Sequence, residues 1–137
     1  MTRPTPVPVH WDREFWELAG QGILGAQECL DCGHLQHYPR PVCVNCLSRN
    51  RTWRRLSGRG RVYSFTTVRR PENRAFASEA PFTLIDVDLD EGLRLVSRLA
   101  DETQAPALAI GDTVTAVFRP VGDGSLKLPY FTVTTEG

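Results

Sequence analysis

Cys29-Leu30-Asp31-Cys32-Gly33 and Cys43-Val44-Asn45-Cys46-Leu47 together hold every cysteine of this 137-residue chain. The spacing is C-x2-C-x10-C-x2-C. Two such pairs on a short loop bring four thiolates into one tetrahedron, the arrangement zinc accepts. Gly33, directly after the second ligand, permits the positive φ that closes a knuckle around a metal; the second pair carries Leu47 there. Two disulfides, or iron in a rubredoxin-like site, are the alternatives. The start, Met1 to His10, has no apolar export core, so reduced thiols and one zinc per chain are expected. With Cys29, Cys32, Cys43 and Cys46 filling the shell, no position is open to water, and the zinc is expected to be structural. His34 and His37 read as solvated loop residues beside a completed shell, and Tyr38-Pro39-Arg40-Pro41 stiffens the return to the second knuckle.

Working upstream, Gly20-Gln21-Gly22-Ile23-Leu24-Gly25 matches the dinucleotide fingerprint letter for letter, but that motif must leave a strand and open a helix. Here the order is reversed. Asp12 to Ala19 reads as a short helix with Asp12 at its N-cap, and the glycines stop it. Trp11, Phe15 and Trp16 concentrate aromatic surface on two turns that are marginal alone in water. Either the chain's own domain or a partner's groove must receive them.

Downstream the pattern turns β. Thr52 to Leu56 opens it, Ser57-Gly58-Arg59-Gly60 turns, and Arg61 to Val68 resumes. Phe82 to Leu89 and Leu93 to Leu99 form a hairpin across Asp90-Glu91-Gly92. After an irregular or short helical connection, Thr103 to Ile110, come Thr113 to Phe118 and Leu126 to Thr134. About five strands with a non-hairpin connection before the fourth fit a small antiparallel barrel of the OB type, with a split sandwich as the alternative. The period of two puts Arg61, Tyr63, Phe65, Thr67 and Arg69 on one face. Aromatics among cations suit a single-strand stacking platform, but the less apolar opposite face favours Tyr63 and Phe65 as core. Asp86, Asp88 and Asp90 share a face and read as solvated acids.

Composition is that of an ordinary soluble protein, 41% hydrophobic and 23% charged, and no apolar run approaches a membrane span. A cytoplasmic location is expected. The zero net charge hides a segregation: residues 1–39 hold two Arg against five acids, 40–74 ten Arg against Glu72 alone, and 75–137 four bases against ten acids. The basic middle favours an anionic partner. Fifteen of the sixteen bases are Arg, whose planar fork matches phosphate oxygens, although a GC-rich genome alone produces the same bias.

No nucleophile elbow, P-loop or H-E-x-x-H is present, and every cysteine is assigned to metal. Phe15-Trp16-Glu17, the two knuckles joined by Tyr38-Pro39-Arg40-Pro41, Gly58-Arg59-Gly60-Arg61-Val62-Tyr63-Ser64-Phe65-Thr66, and Gly111-Asp112 through Val117-Phe118 occur in an order that resembles the zinc-ribbon and OB-fold proteins grouped as domain of unknown function 35. The resemblance runs from about Phe15 to Phe131. It implies a mainly β protein: an N-terminal helical segment (1–25), a rubredoxin-like zinc ribbon (26–50) and a C-terminal five-stranded OB-fold barrel (51–137). It also implies a non-catalytic accessory subunit that supports a thiolase-like enzyme or aldolase, in some members for steroid side-chain degradation, and helps form the acyl-CoA site. On that reading Trp11, Phe15 and Trp16 face the partner, and Arg59, Arg61, Arg69 and Arg70 are the candidates for CoA phosphates. A nucleic-acid-binding module is the alternative function.

Overall fold

The computed structural model describes residues 4–134; the outermost residues of the first and third segments, 1–3 and 135–137, lie outside it. Helix α1 (Arg13–Gly20) opens the chain, and β1 (Gly25–Cys29), β2 (Leu35–Gln36) and β3 (Arg51–Arg55) form a three-stranded antiparallel sheet in the order β2-β1-β3. The glycine-rich stretch leaves a helix and enters a strand, so it is a helix stop. Asp12 precedes α1 without capping it; its carboxylate accepts instead from the Val9 N–H at 2.8 Å, which fixes the approach of the N-terminal segment.

A second, five-stranded sheet contains β4 (Arg59–Val68), β5 (Phe82–Leu89), β6 (Arg94–Arg98), β7 (Thr113–Val121) and β8 (Leu126–Val133), in the order β6-β5-β4-β7-β8. A parallel bridge between Leu99 and Phe131 joins the two outer strands, so the sheet nearly closes into the expected barrel. The inward positions, among them Val62, Ile85, Val87, Leu95, Val114 and Phe131, fill its interior. The connection read as irregular or short helical is a 3-10 helix, Glu102–Ala107. Glu102 accepts from the Thr83 N–H and hydroxyl, and Gln104 accepts from the Val133 N–H at 2.9 Å, tying β5 to β8.

Two expectations are corrected. Thr52 to Leu56 was assigned to the barrel, yet β3 pairs with β1 from Gly25↔Arg55 to Cys29↔Arg51, and the Leu56 N–H reaches the Leu24 carbonyl at 2.8 Å. The three-stranded sheet that holds β1 therefore extends past residue 50. Tyr63 and Phe65 do not share a face, because the ladder with β5 slips between Val62 and Ser64. This bulge inverts the alternation. Tyr63 is turned outward, 49% exposed, with the Arg94 guanidinium 3.5 Å over its ring. Phe65 lies opposite Ile85 on the inner side but at the rim, 40% exposed.

Candidate metal centre and the cleft beside it

The two knuckles are built alike. In each, the N–H four residues after the first cysteine returns to that cysteine's carbonyl, Gly33 to Cys29 at 3.0 Å and Leu47 to Cys43 at 2.8 Å. In each, the cysteine's own N–H reaches one residue further on, to the His34 and Ser48 carbonyls, both at 2.9 Å. Closing that turn requires a left-handed residue after the second cysteine. Gly33 takes φ 77°, and Leu47, without the freedom of glycine, takes φ 66°.

The four Sγ atoms lie within 4.8 Å of one another, with Cys29 to Cys46 at 3.6 Å and Cys32 to Cys43 at 3.7 Å. A tetrahedron with Zn–S bonds of about 2.3 Å has S···S edges of about 3.8 Å, whereas a disulfide needs about 2.05 Å. The spacing fits the metal and excludes both disulfides. Cys29 and Cys43 are buried while Cys32 and Cys46 are exposed. The Asn45 side chain and the His34 N–H lower the Cys32 thiol to about 6. For Cys46 the Ser48 N–H favours the thiolate, but burial and the neighbouring thiols outweigh it and push the thiol up to about 12. A divalent cation such as zinc would complete this four-sulfur set.

Behind the metal site lie two buried glutamines that sequence reasoning passed over, since neither belongs to a motif. Gln27, 1% exposed, donates to the carbonyls of Trp11 and Arg40, and its oxygen accepts from the Arg40 N–H and from Gln36. Gln36 in turn donates to the Val42 carbonyl and accepts from the Val44 N–H. The pair ties the N-terminal segment, the ribbon loop and the second knuckle together with every amide proton or oxygen in use.

The same loop lines a cleft of about 820 Å3 between helix, ribbon and barrel. Trp11 and Trp16 line it from the helical side, Tyr38 from the ribbon, and Phe82, Val96 and Tyr130 from the barrel. Arg98 lies 4.2 Å over the Phe82 ring and is held by Glu79 at 2.8 Å. Of the three aromatics singled out at α1 and just before it, Phe15 is 7% exposed and belongs to the chain's own core; Trp11 and Trp16 remain partly open at the cleft. His37 corrects another expectation. It is not a solvated loop residue: its ring lies 5.8 Å from Phe15 and 4.2 Å from Tyr38, and burial, with the Arg40 charge behind it, lowers its pKa to about 4.

The four Arg assigned to CoA do not converge. Arg59 and Arg61 share a face at the start of β4, while Arg69 and Arg70 follow its end, about 26 Å along the extended chain from Arg61. One diphosphate cannot span that distance. The three aspartates likewise do not gather: Asp88 is held by Arg94 at 2.8 Å, and the four cysteines form the metal-competent cluster among the described residues.

Two family models match, described as the ChsH2 rubredoxin-like zinc ribbon domain over residues 16–50 and the ChsH2 C-terminal OB-fold domain over residues 53–119. The chain belongs to this zinc-ribbon and OB-fold family, DUF35. Among curated relatives, a probable enoyl-CoA hydratase alpha subunit of Thermomonospora curvata is 39% identical over 98 residues, 71% of this chain and 30% of that protein. The chain thus spans under a third of that relative. A DUF35 domain-containing scaffold protein of Methanothermobacter thermautotrophicus is 32% identical over 99 residues, covering 72% of this chain and 73% of its own. Among solved structures, a chain of the Ltp2-ChsH2(DUF35) aldolase superposes with a TM-score of 0.81 at 31% identity, over 94% of this DUF35 chain and 98% of its own length. Among the described residues no helix is long and apolar enough to cross a membrane.

Proposed function

We propose that this chain is a non-catalytic subunit of an acyl-CoA-processing complex, in which it docks on an aldolase or other thiolase-like enzyme through the surface around α1 and the ribbon. The observation that carries the reading is the near full-length likeness to a chain of a solved aldolase assembly. The name of the hydratase relative supports the acyl-CoA part of it. Cys29, Cys32, Cys43 and Cys46 hold one structural zinc, which fixes the ribbon's loop against the barrel. Trp11 and Trp16, open along the cleft, contact the partner. Of the basic residues, Arg59 and Arg61 take the phosphates of CoA, since they share one face of one strand.

The test is reconstitution. The chain is co-expressed with a thiolase-fold aldolase subunit, the complex is isolated by size exclusion with light scattering, and acyl-CoA turnover is measured for each component and for both. The expected result is a hetero-oligomer whose activity needs both chains. Turnover by this chain alone, or the absence of a complex, overturns the proposal.

A further inference from the structure

β4 is longer than its neighbours on one side can cover. It pairs with β5 from Gly60 to Val68, yet with β7 only through Arg59, Gly60 and Arg61. Val62 is served by a loop, its N–H donating to Asp112 and its carbonyl accepting from Gly111. From Tyr63 to Val68 the β7-side edge has no backbone partner among the described residues. Residues 63–67 are exposed, Phe65 among them.

An open edge is a template for another strand, and proteins usually blunt one with proline, a charge or a covering loop. Tyr63-Ser64-Phe65-Thr66-Thr67-Val68 contains none of these and consists of β-favouring residues with one serine. The charges stand at its two ends instead, Arg61 on one side and Arg69 and Arg70 on the other, all exposed. Cations at the ends of an unpaired strand match an extended acidic chain, and Arg69 and Arg70 lie too far along β4 to serve a phosphate held at Arg59 and Arg61. They also select against self-association. Antiparallel pairing of two copies centred on this segment sets Arg61 of one copy against Arg70 of the other, and like charges directly opposite destabilise a sheet.

We infer that the open edge of β4 binds an extended acidic peptide segment of a partner protein by strand addition. The backbone of Ser64–Val68 supplies the hydrogen bonds, the rim side chain of Phe65 an apolar contact, and the flanking Arg the selectivity for acidic ends. The inference stands apart from the acyl-CoA reading except at Arg61, which that reading gives to CoA, so the test below substitutes only Arg69 and Arg70.

The experiment uses the full zinc-loaded chain, isotopically labelled, and the octapeptide Glu-Glu-Val-Thr-Val-Thr-Glu-Glu as probe. Expected are shifts and slowed hydrogen exchange confined to the amides of Tyr63–Val68 and their neighbours on β5. The same peptide N-methylated at its Val and Thr residues produces neither. Arg69→Glu with Arg70→Glu weakens the acidic peptide roughly tenfold, less at high salt, and strengthens its Lys-ended counterpart. No shift at millimolar peptide overturns the inference, as does equal binding of the N-methylated peptide. Tighter binding by an octathymidylate, or by a peptide copying residues 61–70 of this chain, overturns the choice of partner. Because the assay holds no enzyme, its failure leaves the reconstitution test of the accessory role intact.

Discussion

Leu47 stands where its twin knuckle has glycine, at φ 66° and 73% exposed, so its side chain gives up backbone freedom without gaining much packing. Left-handed geometry costs an L-residue roughly 1–2 kcal/mol. Leu47→Gly is therefore expected to stabilise the zinc-bound chain by up to about 1 kcal/mol, part of the gain being lost to the extra freedom of glycine when unfolded, as read by denaturant titration. The cysteines behave oppositely: Cys43→Ser removes a buried ligand, and the variant is expected to purify with less than one zinc per chain and a looser ribbon, by elemental analysis and proteolysis. His37 makes a third expectation. Its folded pKa of about 4 lies below the unfolded value of 6.5, so below pH 6.5 the unfolded chain takes up a proton that the folded chain refuses. The stability present above pH 6.5 falls as pH drops towards 4, by up to about 3 kcal/mol. Urea titrations across this range should show a shallower decline for His37→Phe than for the wild type. The cysteine pairs were legible in the sequence because metal geometry imposes their spacing. His37 was not, since its burial is imposed by Phe15, twenty-two residues away in the chain.

Among the elements, β4 carries the most, and Gly60 is its pivot, paired with Leu89 on one side and Val114 on the other. A Cβ there would press into the carbonyl oxygen of Asp88 and come within 2.7 Å of Val87 Cγ1. Backbone cannot retreat as a flexible side chain can. Gly60→Ala is expected to cost roughly 1–3 kcal/mol, measured as a lower midpoint with an unchanged denaturant slope. Strand positions along β4 were readable from alternation and turn residues, but the bulge after Val62 was not, because one extra residue leaves no mark in a run such as Tyr63-Ser64-Phe65-Thr66. Facing was therefore misread for Tyr63. Nor does the composition of β3 say which sheet it joins; that depends on a pairing with β1 some twenty-five residues earlier. Helix α1 was legible as a helix, and the sequence left open whether the aromatics on it and just before it face inward or outward. The structure divides them, placing Phe15 in the core and the two tryptophans along the cleft.

For the whole molecule, the order helix, ribbon, barrel could be read from the sequence; the cleft could not, because its walls come from three segments far apart in the chain. Its aromatic lining locates the next expectation. Trp16→Ala should weaken assembly with the partner enzyme about thirtyfold or more, from roughly 2 kcal/mol for a well-buried interface aromatic, while leaving zinc content at one per chain. Isothermal titration of the purified subunits reads the first, and elemental analysis the second.

The pairing of β3 with β1 bears on how such modules are recombined. A crossover placed at residue 50, four residues after the last cysteine, would leave the ribbon without its third strand and without the Leu56–Leu24 bond that follows it. The Gln27 link to Trp11 makes the other border equally unforgiving, for a ribbon begun at residue 16 loses the carbonyl its glutamine holds. A transplantable unit therefore runs from the N-terminal segment to about Ser57, where the chain has finished one sheet and not yet begun the next. Gene fusions that respect this seam keep the third strand and the glutamine's partner with the four cysteines; those cut at residues 16 and 50 keep the cysteines without either.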